Sequence, residues 1–237
     1  MQLWFIAAFA AFCVKGLCGF ANTLVFTSIM AFGEANRSIS PVELLLGYPA
    51  NFLMAWRSRN RLNKKTVFLC SLFMVLGAIP GAIFLKTADV SAVRIFFGVV
   101  VLFTAVQMMR RKPEARTSGS GLLFTLTGLF SGFLCGMFGV GAVMAAYVER
   151  MSDDMESFRA NISAIFFAEN TLRIVIYIVT GILTMDALLM AVKILPVCLL
   201  GLYAGIFVST LFKEGASIKI VIVPLVISGI SMIAMNL

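Results

Sequence analysis

The chain has 237 residues, 61% of them hydrophobic and only 13% charged, with a mean hydropathy of +1.01. Soluble domains average about 25% charged residues and about half apolar ones, so this composition exceeds what a water-soluble core of this length can bury. It excludes a soluble enzyme and indicates an all-α, polytopic helical membrane protein.

The chain contains no histidine. That removes the common catalytic triads, imidazole acid–base chemistry and most transition-metal sites, so no catalytic residue, metal or cofactor is expected. Cys13, Cys18, Cys70, Cys135 and Cys198 lie in apolar stretches without Cys-x-x-Cys spacing, which gives no disulfide framework. Met1-Gln2-Leu3-Trp4 lacks the basic start of a signal peptide, so the first apolar stretch is expected to remain in the protein.

In chain order, apolar segments are predicted at 3–33, 42–56, 66–85, 91–109, 121–148, 158–183, 187–212 and 217–236. Each is read as long enough to cross a hydrocarbon layer of about 30 Å. The first is interrupted at Lys15-Gly16 and Gly19, and the fifth at Gly132, Gly136, Gly139 and Gly141. Each divides into two short pieces, which reads as half-helices meeting inside the bilayer.

The chain also reads as duplicated. Gly16-Leu17-Cys18-Gly19-Phe20-Ala21 matches Gly136-Met137-Phe138-Gly139-Val140-Gly141. Leu76-Gly77-x-x-x-Gly81 then matches Leu200-Gly201-x-x-x-Gly205, and Ser91 to Ile95 resembles Ala216 to Ile220. The predicted organisation is a first repeat over 1–109, a basic linker over 110–120 and a second repeat over 121–237.

Charge orients the repeats. Nine of the 19 Lys and Arg fall in two short stretches, Arg57 to Lys65 and Arg110 to Arg116. The positive-inside rule makes both cytoplasmic. If segments one and five cross fully, the remaining loop charges fall outside. If both are re-entrant hairpins, Arg150, Arg159, Lys213 and Lys219 move inside, leaving only Arg37, Lys86 and Arg94 outside. The re-entrant arrangement is preferred: a hairpin plus three transmembrane helices per repeat, the repeats inverted, both termini extracytoplasmic. The net charge of +8 then reflects topology and anionic lipid headgroups of the bilayer, and no nucleic acid is expected as a partner.

A helix broken inside lipid leaves backbone groups that must be buried or line a polar cavity. The second half-helix points free N–H groups and partial positive charge at that cavity, which suits an anion. Gly19, Phe20, Ala21, Asn22 and Thr23 would build one such end, and Gly139, Val140, Gly141 and Ala142 the other; the bland alternative is that these glycines only permit close packing. Lys15, Asn51 and Asn170 are intramembrane polar residues, each needing a reason. Lys15 reads equally as an anion ligand or as an interfacial charge. Glu169 and Arg173, spaced i, i+4, form a structural pair or, more sharply, a substrate anchor with its orienting partner. Glu169 is taken as the acid of the crossings and the candidate for proton coupling. Lys193 reads as a packing or interfacial residue, near a kink at Pro196. Cys18 and Cys135, each before a glycine, raise an alternative: a thiol–disulfide electron relay.

This pattern resembles the TauE/SafE sulfite exporter family, also called the toluene sulfonate uptake permease family, whose signature runs G-x-x-x-G-x-x-G-x-G-G-G near the start of each half. The second repeat supplies Gly132, Gly136, Gly139 and Gly141, with Ala142 and Val143 in place of the last two glycines. The first keeps Gly16 and Gly19, with Phe12 at the leading position and Ala21-Asn22 later; the proline that often follows is missing from both. The resemblance implies a multi-pass transporter in a bacterial inner (cytoplasmic) membrane for a small sulfur anion such as sulfite or an organosulfonate. The reading is a carrier, and an exporter by the drive of an inside-negative potential on an anion. Its repeats rock about one anion, with Gly77, Gly81, Gly201 and Gly205 permitting close helix sliding. A passive anion channel is the second alternative.

Overall fold

A computed structural model describes residues 1–30, 36–87 and 121–211, together with 95–96, 98–103, 106, 226, 230 and 233. The linker 110–120 and most of the predicted segments 91–109 and 217–236 lie outside the described residues. Eight α-helices are described: α1 Gln2–Cys18, α2 Asn22–Met30, α3 Asn36–Arg57, α4 Lys64–Thr87, α5 Gly121–Phe138, α6 Ala142–Arg150, α7 Met155–Val179 and α8 Met185–Ser209. A 3-10 turn, Arg59–Arg61, joins α3 to α4.

Both interrupted segments are broken, but more narrowly than predicted. α1 runs unbroken through Lys15 and Gly16, and α5 through Gly132 and Gly136. A mid-helix glycine costs only about 0.5–1 kcal/mol against alanine, and here close packing offsets that. A Cβ on Gly16 would overlap the Leu202 carbonyl, and one on Gly136 the Ala78 carbonyl. The chain turns at the next glycines. Gly19 (φ 87°) and Gly139 (φ 72°) adopt the left-handed conformation, closing the helix before them. Their N–H groups donate to Lys15 O and Cys135 O, both at 2.7 Å. Ala21 is also left-handed, at φ 71°, a strained state for a residue with a Cβ.

The start of α7 is set by Asp154, whose Oδ1 accepts the Ser157 N–H at 2.6 Å. Thr184 caps α8 through Ala187 N–H at 3.2 Å. Residues 64–85, 155–179 and 185–209 are long and apolar enough to cross a membrane. At 1.5 Å per residue the two longest reach about 37 Å. The exterior is apolar, with Phe68, Leu72, Leu76, Val179, Leu200 and Phe207 exposed. Lys15, Glu43, Asn51, Glu169 and Arg173 are buried. That polarity is the reverse of a soluble domain. The protein is a multi-pass membrane protein.

Packing is reciprocal between the two halves. α1 lies along α8 and α5 along α4, while α3 packs against α7. The close approaches correspond as well: a Cβ on Gly205 would overlap Cys13 O, and one on Gly81 would overlap Phe133 O. Gly201 and Gly77 meet Phe9 O and Leu129 O in the same manner. The loop after α3 meets the loop before α7, with Arg61 3.8 Å from both Asp154 and Glu156. Asn63 N–H donates to Asn161 Oδ1 at 2.8 Å.

Candidate functional site

Both chain breaks face one small cavity, which also receives side chains of α3 and α7. Phe20 to Leu24 line it from the first break, Gly139 to Gly141 from the second, and Glu43, Asn51, Phe166, Asn170 and Arg173 from the crossing helices.

A chain of polar contacts runs through this space. Lys15 Nζ, fully buried behind the lining, donates to Asn51 Oδ1 at 2.7 Å and Asn22 Oδ1 at 3.1 Å. Asn22 Nδ2 donates to Glu43 Oε1 at 2.6 Å, and Thr23 Oγ1 donates to the same oxygen at 2.6 Å. The other carboxylate oxygen, Glu43 Oε2, lies 3.7 Å from Arg173 Nη2. Arg173 Nε lies 3.8 Å from Glu169 Oε1. These separations permit charge pairing but exceed hydrogen-bond distance. Arg173 also donates to the Cys135 carbonyl, and to Asn170 Oδ1 at 3.2 Å. Its neighbour Tyr177 donates to Gly136 O at 3.2 Å and meets Ser40 at 2.9 Å.

Two lysine or arginine charges therefore face two carboxylates. Among the described residues, Glu43 Oε2, Arg173 Nε and both Glu169 carboxylate oxygens are among the buried atoms without a hydrogen-bond partner. Buried polar groups are ordinarily paired; Glu43 Oε2 is unpaired at the cavity lining, whereas Arg173 Nε faces Glu169 behind it. The second break stays thin beside them. A Cβ on Gly139 would lie 2.9 Å from each of Arg173 Nη1, Glu43 Oε2 and Thr23 Cγ2.

The two half-helix starts are not equivalent. α2 brings the polar side chains of Asn22 and Thr23. At α6 the Met144 N–H already donates to Ser131 Oγ at 3.1 Å, while Val25 N–H to Ala21 O and Ala145 N–H to Gly141 O correspond between the two starts.

The match to protein-family models is to the sulfite exporter TauE/SafE model, over residues 4–232. The chain belongs to the TauE/SafE family. No curated protein and no solved structure matches it.

TauE/SafE is a transporter family, and in this member the sequence-based candidates separate into three groups. Ala21, Asn22, Thr23, Asn51, Gly139, Gly141, Asn170 and Arg173 line the cavity. Lys15 and Glu169 stand one layer behind, each holding a lining residue. Gly19 is outside that set: its Cβ position faces Arg159, 2.7 Å from Cγ. Ala142 opens α6, and Lys193 is exposed. Cys135 lines the cavity, and Cys18 is buried outside its lining.

The sequence reading passes over Glu43. This acid sits inside the predicted segment 42–56, two residues after Pro41, and only its position among apolar residues gives it away. It also places Arg159 among the loop charges. Arg159 instead lies within α7, where it donates to the Leu17 carbonyl and to Ser209 Oγ.

Proposed function

We propose that this TauE/SafE member is a secondary carrier that exports a small sulfur-containing anion, sulfite or a short organosulfonate, through the cavity between its two chain breaks. The supporting observation is Arg173. It is buried and lines the cavity, charge-paired with Glu43 at 3.7 Å on one side and with Glu169 at 3.8 Å on the other. A sulfur oxyanion offers the planar acceptor pairs that a guanidinium fork recognises. Asn22, Thr23, Asn51 and Asn170 would orient its remaining oxygens, with the N-terminus of α2 adding partial positive charge.

The repeats are read as inverted, each opening with a re-entrant hairpin. The reciprocal packing of α1 on α8 and α5 on α4 supports this. So does the pairing of Arg61 with Asp154 and Glu156. Full crossing of both broken segments would put those two loops on opposite membrane faces. Alternating access would come from rocking one repeat on the other along the Gly77–Gly81 and Gly201–Gly205 contacts. An inside-negative bacterial inner-membrane potential would drive net negative charge outward by about 2.3 kcal/mol per charge per 100 mV.

The test is flux of labelled sulfite and ethanesulfonate in proteoliposomes. Saturable flux of either anion is expected. Arg173→Lys, which keeps the charge but loses the planar fork, should weaken apparent affinity roughly tenfold or more. Flux proportional to concentration without limit would replace the carrier by a channel. No flux of either anion through folded protein would overturn the sulfur-anion assignment.

A further inference from the structure

We infer that Glu43 is a resident counter-anion of the substrate site, and that an anion binds only as Glu43 takes up a proton, so that transport is proton-coupled through this residue. The inference rests on the anion-carrier reading and adds to it the coupling ion and the residue that carries it.

Geometry places the Glu43 carboxylate where a substrate oxyanion would sit. One oxygen accepts from both polar side chains at the start of α2, Asn22 and Thr23 at 2.6 Å each. The other faces Arg173 at 3.7 Å with no hydrogen-bond donor. The group is 2% exposed and lines the cavity. An incoming anion therefore needs the donors that Glu43 already occupies.

Charge gives the same answer. Lys15 and Arg173 balance Glu43 and Glu169, and adding a monovalent anion leaves one uncompensated negative charge inside the membrane. Such a charge is expensive. A proton arriving at Glu43 Oε2 forms a neutral carboxyl, frees Arg173 Nη2 for the substrate and restores balance. Release of the anion on the other face returns the proton.

The titratable and charged groups facing Glu43 are Lys15 on α1, Cys135 on α5, Glu169 and Arg173 on α7, and Cys198 on α8. None substitutes for it. Deprotonating Lys15 or a thiol makes the network more negative, the wrong sign. Glu169 faces Arg173 from behind and does not line the cavity. With one proton per turnover a monovalent sulfonate moves without net charge, so the potential does not drive it and its outward movement follows the sulfonate gradient and takes a proton out with it. A divalent sulfite still carries one net charge and responds to the potential.

Ethanesulfonate is the probe, because its own charge does not titrate near neutrality. In purified protein, affinity should fall about tenfold for each pH unit above the midpoint, with one proton taken up per ligand bound. Glu43→Gln should bind with pH-independent affinity and take up no proton. Binding without pH dependence or proton uptake in the wild type overturns the inference while the carrier reading stands, as does a pH slope retained in Glu43→Gln. If Glu43→Gln does not fold, Thr23→Val supplies the second readout. Losing a donor to the carboxylate should raise the midpoint by about one pH unit, and an unmoved midpoint overturns the inference. No ethanesulfonate binding at any pH in folded protein overturns the anion reading and this inference with it.

Discussion

Asn22 joins Lys15 to Glu43. Its Oδ1 accepts from the ammonium at 3.1 Å and its Nδ2 donates to the carboxylate at 2.6 Å, so one amide at the first position of α2 connects opposite charges carried by α1 and α3. An amide, with its acceptor and donor on separate atoms, can accept from a cation and donate to an anion at once.

Replacing it tests how far the site depends on that relay. Asn22→Leu has similar size and removes both contacts, leaving Lys15 with Asn51 and Glu43 with Thr23. A lost hydrogen bond to a buried charge is worth on the order of 2 kcal/mol. The variant should therefore lower the thermal midpoint in detergent and weaken anion affinity together. Asn22→Asp keeps the acceptor but adds a negative charge beside Glu43, and should bind the anion more weakly than the leucine variant. Equal affinities for the two would argue that charge at this position is irrelevant.

Gly139 and Gly181 separate strain from contact. Both have left-handed backbone, at φ 72° and 70°, so alanine at either position incurs about 1–2 kcal/mol of steric cost. Around Gly181 a Cβ meets nothing within 4 Å, whereas at Gly139 it approaches Arg173, Glu43 and Thr23 at 2.9 Å. Gly181→Ala should reduce stability and leave transport per folded molecule intact. Gly139→Ala should lose similar stability and most of its flux. Flux measured against folded protein from size-exclusion chromatography distinguishes the two.

The contrast also indicates what sequence could convey. Among the described residues, helices and both breaks fall within the apolar runs and glycine positions, because lipid burial and left-handed backbone each constrain residue type. Those runs and glycines did not fix where within each segment the break falls. Gly16 and Gly136 remain helical through contacts with α8 and α4, partners far away in sequence. Asn51, Asn170 and Arg173 were recognisable because a polar group within an apolar crossing needs a partner. Glu43 was hidden by its place near the start of its segment, two residues after Pro41, and its partners come from α2 and α7. The unequal chemistry of the two half-helix starts was equally invisible, since it depends on Ser131 reaching Met144 N–H.

Asp154 gives a prediction outside the membrane. The Ser157 N–H it caps, reinforced by the Ser157 side chain and Arg61, holds its carboxyl below the usual aspartate range. A depressed value means that the cap stabilises the fold above the ordinary aspartate pKa and loses that contribution as pH falls through the lowered one. Asp154→Ala should thus lower the thermal midpoint at neutral pH and show a smaller further loss on acidification than wild type. Asp154→Asn, which still caps, should lie between them. Identical acid profiles for all three would remove Asp154 as a contributor.

The thiol relay makes a demand that the cavity permits testing. An electron relay needs a reactive thiol in each repeat, and Cys18 and Cys135 are the pair the sequence offers. All five cysteines are free, with Cys13 partly exposed and the other four buried. Cys135 contributes its backbone carbonyl to Arg173 and the Gly139 turn, a role any residue fills. Cys70 and Cys198 are core packing, and Cys198 additionally meets the Leu46 carbonyl through sulfur at 3.8 Å. A variant with all five replaced by alanine or serine should retain saturable anion flux at a modest cost in stability, since each change removes little buried volume. Restoring Cys18 and Cys135 alone should not change the rate, with or without reductant. A rate that collapses in the cysteine-free protein and returns with that pair would replace the carrier by the relay.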